Sequence, residues 1–356
     1  MRSRVFTPRT HAFRLYAMRK LLIALVALFP GSPASVPQAG GYHVVRRYVL
    51  GGAGGWDYLT LDSASRRLFI ARDSRVTVIN ADRGTLVVEV PDIPGVHGVA
   101  LAPDLGRAFA SAGRDQSVHM LEMRSLKPLA RVRTTGRNPD AVVYEPATRR
   151  VFAFNAGSAS ATAIDATSPG VVGTVALGGR PEFAVAPGDG RVFVNIEDRS
   201  ELVTLDARAL AVTARWPLAP CAEPTGLALD ARHGRLFVGC GNRLMAVVDA
   251  AEGRIVATLP IGGGVDGVAF DPATGLAFSA NGEGTLTVVR EVTREHFVVA
   301  EEVPTQWGAR TLALDPRTHQ LFLATAEFGA PASTPQQSRT RRSIVPGTFA
   351  ILVMGP

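Results

Sequence analysis

A seven-bladed β-propeller is the fold class this sequence predicts. Three observations carry the prediction. An aromatic anchor recurs seven times at a spacing of 40 to 44 residues. Short strand-like runs surround each anchor, and none of the repeats shows a sustained 3.6-residue period. A strand at the front of the array belongs to no repeat and can complete the last one.

The anchors are Phe69, Phe109, Phe152, Phe193, Phe237, Phe278 and Phe322. Two residues before them stand Arg67, Arg107, Arg150, Arg191 and Arg235, then Leu276 and Gln320. A turn precedes each pair, with Pro103, Pro146, Pro187, Pro272 and Pro316 in corresponding places. Before the turn runs a short apolar stretch, for example Tyr58 to Leu61 in the first unit and Gly226 to Leu229 in the fifth. After the anchor come two further strand-like runs, such as Val76 to Asn80 with Leu86 to Val90, and Leu244 to Asp249 with Ile255 to Pro260. Each unit therefore reads as four short antiparallel strands. Such a sheet cannot bury both faces alone, and radial packing against its neighbours covers them. The anchor phenylalanines are read as core between blades.

The ends define how the ring closes. The seventh unit supplies strands at Thr311 to Leu314, Leu321 to Ala324 and Phe349 to Val353, and then the chain stops. His43 to Leu50 is predicted to be its outer strand, which would also cover an open sheet edge. Residues 40–356 are thus expected to form a single propeller domain with one long loop, 326–346.

Composition adds a location. Residues 1–40 hold six cations (Arg2, Arg4, Arg9, Arg14, Arg19 and Lys20) and no acid. The remainder has 32 Lys and Arg against 31 Asp and Glu, so the excess of positive charge belongs to the leader. Nucleic acid is accordingly not expected as a partner. Arg19-Lys20 followed by the apolar run Leu21 to Phe29 and the small residues Ser32-Pro33-Ala34 reads as a signal peptide over 1–34, with Met18 an alternative start. Nine apolar residues are too few to span a bilayer. A periplasmic or secreted protein, monomeric and without a transmembrane segment after cleavage, is expected.

Units three and six, RRVFAFN at Arg149 to Asn155 and GLAFSAN at Gly275 to Asn281, resemble the YVTN-type β-propeller repeat of exported bacterial proteins. Phe stands where that family often has Tyr, and Asn follows the anchor only in some units. The resemblance covers essentially all of the chain after the leader. It implies a periplasmic or secreted seven-bladed ring and no settled activity. The Trp-Asp dipeptide of WD40 blades is missing from the relevant strand ends.

In a propeller the first strand of each blade lies nearest the axis, so the loops entering it are the natural place for a ligand. The entry position lies twelve residues before the anchor, eleven in the fourth unit. It holds Asp57, His97, Asp140, Glu182, Thr225, Asp266 and Arg310. None is apolar. Convergent carboxylates with a histidine suit a divalent cation, for which Asp57, His97, Asp140, Glu182 and Asp266 are the candidate ligands, or a cationic organic group. Arg310 can pair with an acid or hold an anion. Trp56 and His97 can stack on an organic ligand. Equally, these side chains can simply cap turns and solvate the channel mouth. If the acids converge, repulsion should shift their pKa values or recruit a cation.

The loop 326–346 opens on the same face and carries Arg339, Arg341 and Arg342. Cys221, in the fifth entry loop, and Cys240, at the end of the next strand, are the only cysteines and should form a disulfide in an oxidising compartment. His119, His233, His296 and His319 are read as solvated, and Thr204 and Thr287 as ordinary strand residues. No nucleophile elbow, zinc-protease helix, P-loop or dinucleotide fingerprint occurs in a suitable context. The leading expectation is a binding or scaffold protein that recognises a small molecule, peptide or partner protein at the entry-loop face. The alternatives are a propeller lactonase or metal-dependent hydrolase, and an accessory component of a redox or quinoprotein system.

Overall fold

The computed structural model describes residues 41–329 and 343–356. The leader and the arginines of the long loop lie outside them. The described chain is seven four-stranded antiparallel sheets, each a sequential meander except the last. Among the described residues the only helical turns are three short 3-10 segments, Pro103–Leu105, Ala156–Ser158 and Glu197–Arg199. The inner strands are Leu59–Asp62, Val96–Ala102, Pro139–Glu145, Pro181–Val185, Pro224–Asp230, Val265–Asp271 and Leu312–Asp315 in blades 1 to 7.

Ring closure follows the expectation. His43–Val49 pairs antiparallel with Ala350–Gly355, the third strand of blade 7, in a register running from His43 opposite Gly355 to Val49 opposite Ala350. Tyr42 anchors its start: the buried ring meets Phe278 edge-on at 4.9 Å and its hydroxyl donates to the His319 carbonyl at 2.8 Å.

The anchors do what their spacing implies. Each is at most 1% exposed. Each also packs against the inner strand of the following blade: Phe69 with Val96 and Val99, Phe152 with Ala184, Phe278 with Leu312, and Phe322 back onto Leu59. One blade's second strand and the next blade's first therefore share one apolar layer, which is why the aromatic recurs once per blade. Where the third strand meets the outer one, blades 1 to 6 carry a register irregularity at the same place, for example at Val78/Ile79, Ala163/Ile164 and Val247/Val248. A bulge there raises the twist of each blade.

The arginine two residues before the anchor has a structural task. Arg67 donates to the carbonyls of Met123 and Arg124, Arg107 to Ala166, Arg150 to Ala207 and Arg208, Arg191 to Ala250, and Arg235 to Arg294. Every acceptor lies in the turn between the third and fourth strands of the next blade. Each guanidinium thus latches its own blade to the next, always in the same rotational sense. Blades 6 and 7 have Leu276 and Gln320 at this position. Their joints use other pairs. His319 meets Asp271 at 2.7 Å, Arg66 meets Asp315 at 2.5 Å, and Arg317 donates to the Ser63 carbonyl.

Cys221 and Cys240 form the expected disulfide. The asparagines after the anchor close the hairpin between the second and third strands. Asn155 donates to Ser160 and Thr162, and Asn281 to Thr285 and Thr287. Thr287 is consequently more than an ordinary strand residue: fully buried, it also donates to Glu302 and accepts from the Gly262 amide.

Candidate functional site

Five entry residues are the second residue of their inner strand, and Asp57 and Arg310 lie two positions before theirs, so the radial packing of blades decides which of them meet. Trp56 and Asp57 are placed by the segment 51–55, GGAGG. Gly51, Gly52 and Gly54 take positive φ there, which favours glycine. Arg72, 1% exposed, gathers this segment by donating to the carbonyls of Gly51, Ala53 and Gly55. Its guanidinium carbon lies 3.7 Å from the centroid of Phe349. Burial lowers the Arg72 pKa to about 10.

Three entry residues form a tight group. The Nδ1 of His97 lies 2.7 Å from Asp57 Oδ2 and 3.5 Å from Asp140 Oδ1. One ligand atom from each of these residues falls within 4.8 Å of the others. Across from them Arg310 Nε meets Asp266 Oδ2 at 3.0 Å.

Glu182 is joined to the opposite side by a residue the entry alignment overlooks. Tyr58 is 7% exposed, and its hydroxyl reaches Glu182 Oε1 at 3.4 Å, from blade 1 to blade 4. Its ring meets Phe183 edge-on at 4.7 Å. These two aromatics lie across the axis just beneath the entry residues. The same strand position in the other blades is Gly98, Ala141, Gly226, Gly267 and Thr311. Small residues there leave room for the rings and let inner strands approach. A Cβ on Gly267 would stand 2.8 Å from the Leu312 amide nitrogen.

The remaining expectations divide. Thr225 commits its hydroxyl to the Val265 carbonyl at 2.9 Å, a stitch between blades 5 and 6. Trp56 packs on Phe349 at 5.3 Å and on Phe328 at 6.0 Å, and Trp307 meets Phe328 at 4.4 Å. The stub of the long loop, Phe328 paired with Ile344, therefore sits at an aromatic rim beside the entry residues. Three histidines read as solvated are engaged. His119, 14% exposed, faces Asp115, His233 meets Asp230 and Glu291, and His319 meets Asp271. The partners Asp271 of His319 and Glu291 of His233 lie in neighbouring blades, which the spacing of a single repeat does not reveal.

The acids do converge electrostatically. Burial, with Asp140, Asp266, Glu197 and Asp57 nearby, pushes the Glu182 carboxyl up to about 9. Burial raises Asp266 to about 7 against the pull of Arg310. Burial also raises Asp140 to about 6, with His97 opposing and Asp57 adding. For His97, burial disfavours the charged ring, but the hydrogen bond it donates to Asp57 and the charges of Asp140 and Asp57 outweigh it and hold the pKa above its ordinary value. Fully ionised, the ring carries four carboxylates against Arg310 and His97. Glu197, paired with Arg180 at 2.6 Å, adds a fifth acid nearby that the entry alignment missed because it follows a second strand.

Comparison with solved structures defines the class of fold. The chain is similar to a chain of the Kuenenia stuttgartiensis hydrazine synthase structure, with a TM-score of 0.66 and 14% identity over 76% of this chain and 92% of that one. It is similar to a chain of a mitotic checkpoint complex, with a TM-score of 0.70 and 15% identity over 86% and 96%. The WD40 repeats of RRP9 match with a TM-score of 0.71 and 11% identity over 88% and 97%. At these identities the likeness defines the seven-bladed propeller and nothing narrower. No family model matches the chain, and no curated protein matches it. No helix among the described residues is long and apolar enough to cross a membrane.

Proposed function

We propose that this chain is a periplasmic or secreted binding protein, and that its entry-loop face receives a cationic group of a small molecule, peptide or partner protein. The observation that carries this reading is the charge imbalance at the axis. Asp57, Asp140, Glu182 and Asp266 gather there around His97 and Arg310, while Arg180 close by is paired with Glu197. Holding Asp140, Asp266 and Glu182 ionised in this setting is costly, as their raised pKa values record. A ligand ammonium or guanidinium would relieve that cost. The aromatic rim of Trp56, Trp307 and Phe328 gives such a ligand an apolar flank. Propellers of this shape among the neighbours come from multiprotein assemblies such as the mitotic checkpoint complex, in keeping with a binding or scaffold role.

The test is titration calorimetry of the mature protein with spermidine and with an arginine-rich peptide. Saturable, salt-sensitive binding that falls at least tenfold in Asp57→Asn/Asp266→Asn supports the reading. Absence of binding, or binding indifferent to those substitutions, overturns it.

One observation favours a second reading, a metal-dependent hydrolase. Asp57, His97 and Asp140 offer a nitrogen and two carboxylate oxygens close enough for one divalent cation. This donor set fits zinc or manganese. A cation held there would supply Lewis-acid polarisation of a carbonyl or an activated water. The chain's own contribution would be to hold Asp57, His97 and Asp140 together and to close the axis beneath the site with Tyr58. Elemental analysis decides it. A stoichiometric metal lost in Asp140→Asn, with turnover of a lactone panel, supports it, and a metal-free protein whose stability ignores chelator does not.

A further inference from the structure

At the opposite end of blade 5 lies a cavity of about 330 Å³ with the reverse electrostatic character. It opens between the turn joining the inner and second strands (231–234) and the turn joining the third and outer strands (250–254), with Arg294 of blade 6 and Arg191 of blade 4 on its flanks. Four arginines line it, Arg191, Arg232, Arg235 and Arg294, together with His233 and a single carboxylate, Asp249.

Two of the arginines are latches. Arg191 spends its guanidinium on Asp189 and the Ala250 carbonyl. Arg235, 5% exposed, spends Nε and Nη1 on the Arg294 carbonyl, two turn carbonyls and Asp249, the last at 2.7 Å. These bonds neutralise the only acid in the cavity wall. The other two arginines have no such use. Among the described residues no hydrogen bond or ion pair engages the side chain of Arg232 or Arg294, and both residues are exposed at the mouth. His233 has Nδ1 committed to Asp230 and Glu291, so only Nε2 can face a ligand.

The latch pattern alone does not require this arrangement. In the other blades one guanidinium per joint meets a backbone carbonyl. Here the inner turn of blade 5 and the outer turn of blade 6 each add a further arginine beside two latches, as Arg149 and Arg208 do beside Arg107 and Arg150 at blade 3. Arg191 and Arg235 are matched by Asp189 and Asp249, which leaves the like charges of Arg232 and Arg294 side by side at the mouth without a counter-charge. Guanidinium forks match the oxygens of phosphate and carboxylate groups in pairs.

We propose that this cavity is a binding site for a small multivalent oxyanion, a phosphate group or a di- or tricarboxylate, held by Arg232 and Arg294 over the fixed floor of Arg235. The site is separate from the acidic ring, since it lies at the other end of the same inner strand from Thr225. Its volume suits a ligand of a few carbon atoms carrying one such group.

The experiment is calorimetric titration of the mature protein with inorganic phosphate and, separately, citrate, with acetate as the monovalent control at fixed ionic strength. Saturable binding of phosphate or citrate but not acetate is expected, and the tighter of the two identifies the source. Arg232→Ala and Arg294→Ala should each weaken binding roughly tenfold and together far more, without lowering the melting temperature, because neither latches a blade. Arg294→Lys should recover only part, since the charge stays and the fork is lost. The acidic-ring variant Asp57→Asn/Asp266→Asn should bind the anion as the unmodified protein does. No saturable binding of either anion up to about 10 mM overturns the proposal. So does binding unchanged in the Arg232→Ala/Arg294→Ala variant, or binding abolished by the acidic-ring variant.

Discussion

Replacing Glu182 with glutamine should stabilise the protein, and by roughly 2–3 kcal/mol more at pH 8 than at pH 6. The side chain keeps its shape, and its amide oxygen can still accept the Tyr58 hydroxyl. What it loses is a titration. Glu182 binds its proton up to about pH 9 in the folded protein, against an ordinary value of 4.5. Between those values the folded state holds one more proton than the unfolded state, so stability falls as pH rises. One proton corresponds to about 1.4 kcal/mol per pH unit, and from pH 6 to pH 8 this sums to roughly 2–3 kcal/mol. For a propeller of this size that is about 4 °C in melting temperature. His97, Asp140 and Asp266, whose pKa values are also raised, add losses of the same sign as pH rises. The unmodified protein should therefore melt progressively lower from pH 6 to pH 8, and Glu182→Gln should recover about one proton's worth of that slope. Thermal unfolding followed by circular dichroism, with chelator present, measures it. Parallel melting curves for the two proteins across this range would refute the reasoning. Glu182 would then be ionised and solvated, and the carboxylates would not form one electrostatic unit.

Three further outcomes follow from the packing. Non-reducing thiol titration of the unfolded protein should find no free thiol, and reduction of the Cys221–Cys240 bond should cost about 3 kcal/mol, read as a drop in denaturant midpoint. Arg150→Met keeps the buried stem but removes the bonds to the Ala207 and Arg208 carbonyls; a loss of about 2 kcal/mol is expected, against little change for the exposed Arg232→Met. Gly267→Ala sets a methyl 2.8 Å from the Leu312 amide nitrogen and 3.1 Å from Thr311 Cα. Both are backbone of the next blade, so a destabilisation of at least 2 kcal/mol should appear in chemical denaturation, whereas Gly170→Ala, with open space around it, should be neutral.

The fold was legible because its determinant is local and repeated. One phenylalanine per 40 to 44 residues, flanked by alternating strands, needs no knowledge of the partner blade to be recognised. The closing strand was legible by elimination, since His43–Val49 had no repeat of its own and the last repeat lacked a strand. The ring of entry residues was half legible. Alignment placed the acids at one level, but which of them touch depends on radial distance, and that distance is set by neighbours a blade or more away. Tyr58 is the clearest case. Within its own repeat it reads as one more apolar strand residue, yet its hydroxyl is spent 124 positions downstream on Glu182. The signal was present in the size contrast at that position, where Tyr58 and Phe183 face glycines and alanine. The recurring arginine was visible without its meaning, because its acceptors are backbone carbonyls, which leave no trace in composition. Thr225 misled for the same reason.

The pairing of His43–Val49 with Ala350–Gly355 also has a meaning in time. The strand that finishes the last blade is made before any of the blades, and its partner is made about 300 residues later. Six blades can assemble as they emerge, each covering the anchor of the one before. The first strand has nothing to pair with until Ala350–Gly355 has been made, and closing so long a loop is the slow, non-local kind of step. Until then the third strand of blade 7 has an open edge and Phe322 has no blade 1 layer held against it. The two joints without an arginine two residues before the anchor, 6 to 7 and 7 to 1, are those that wait for this event. The ring is therefore built as an open spiral whose last turn must find its first, and its most vulnerable moment comes just before it becomes circular.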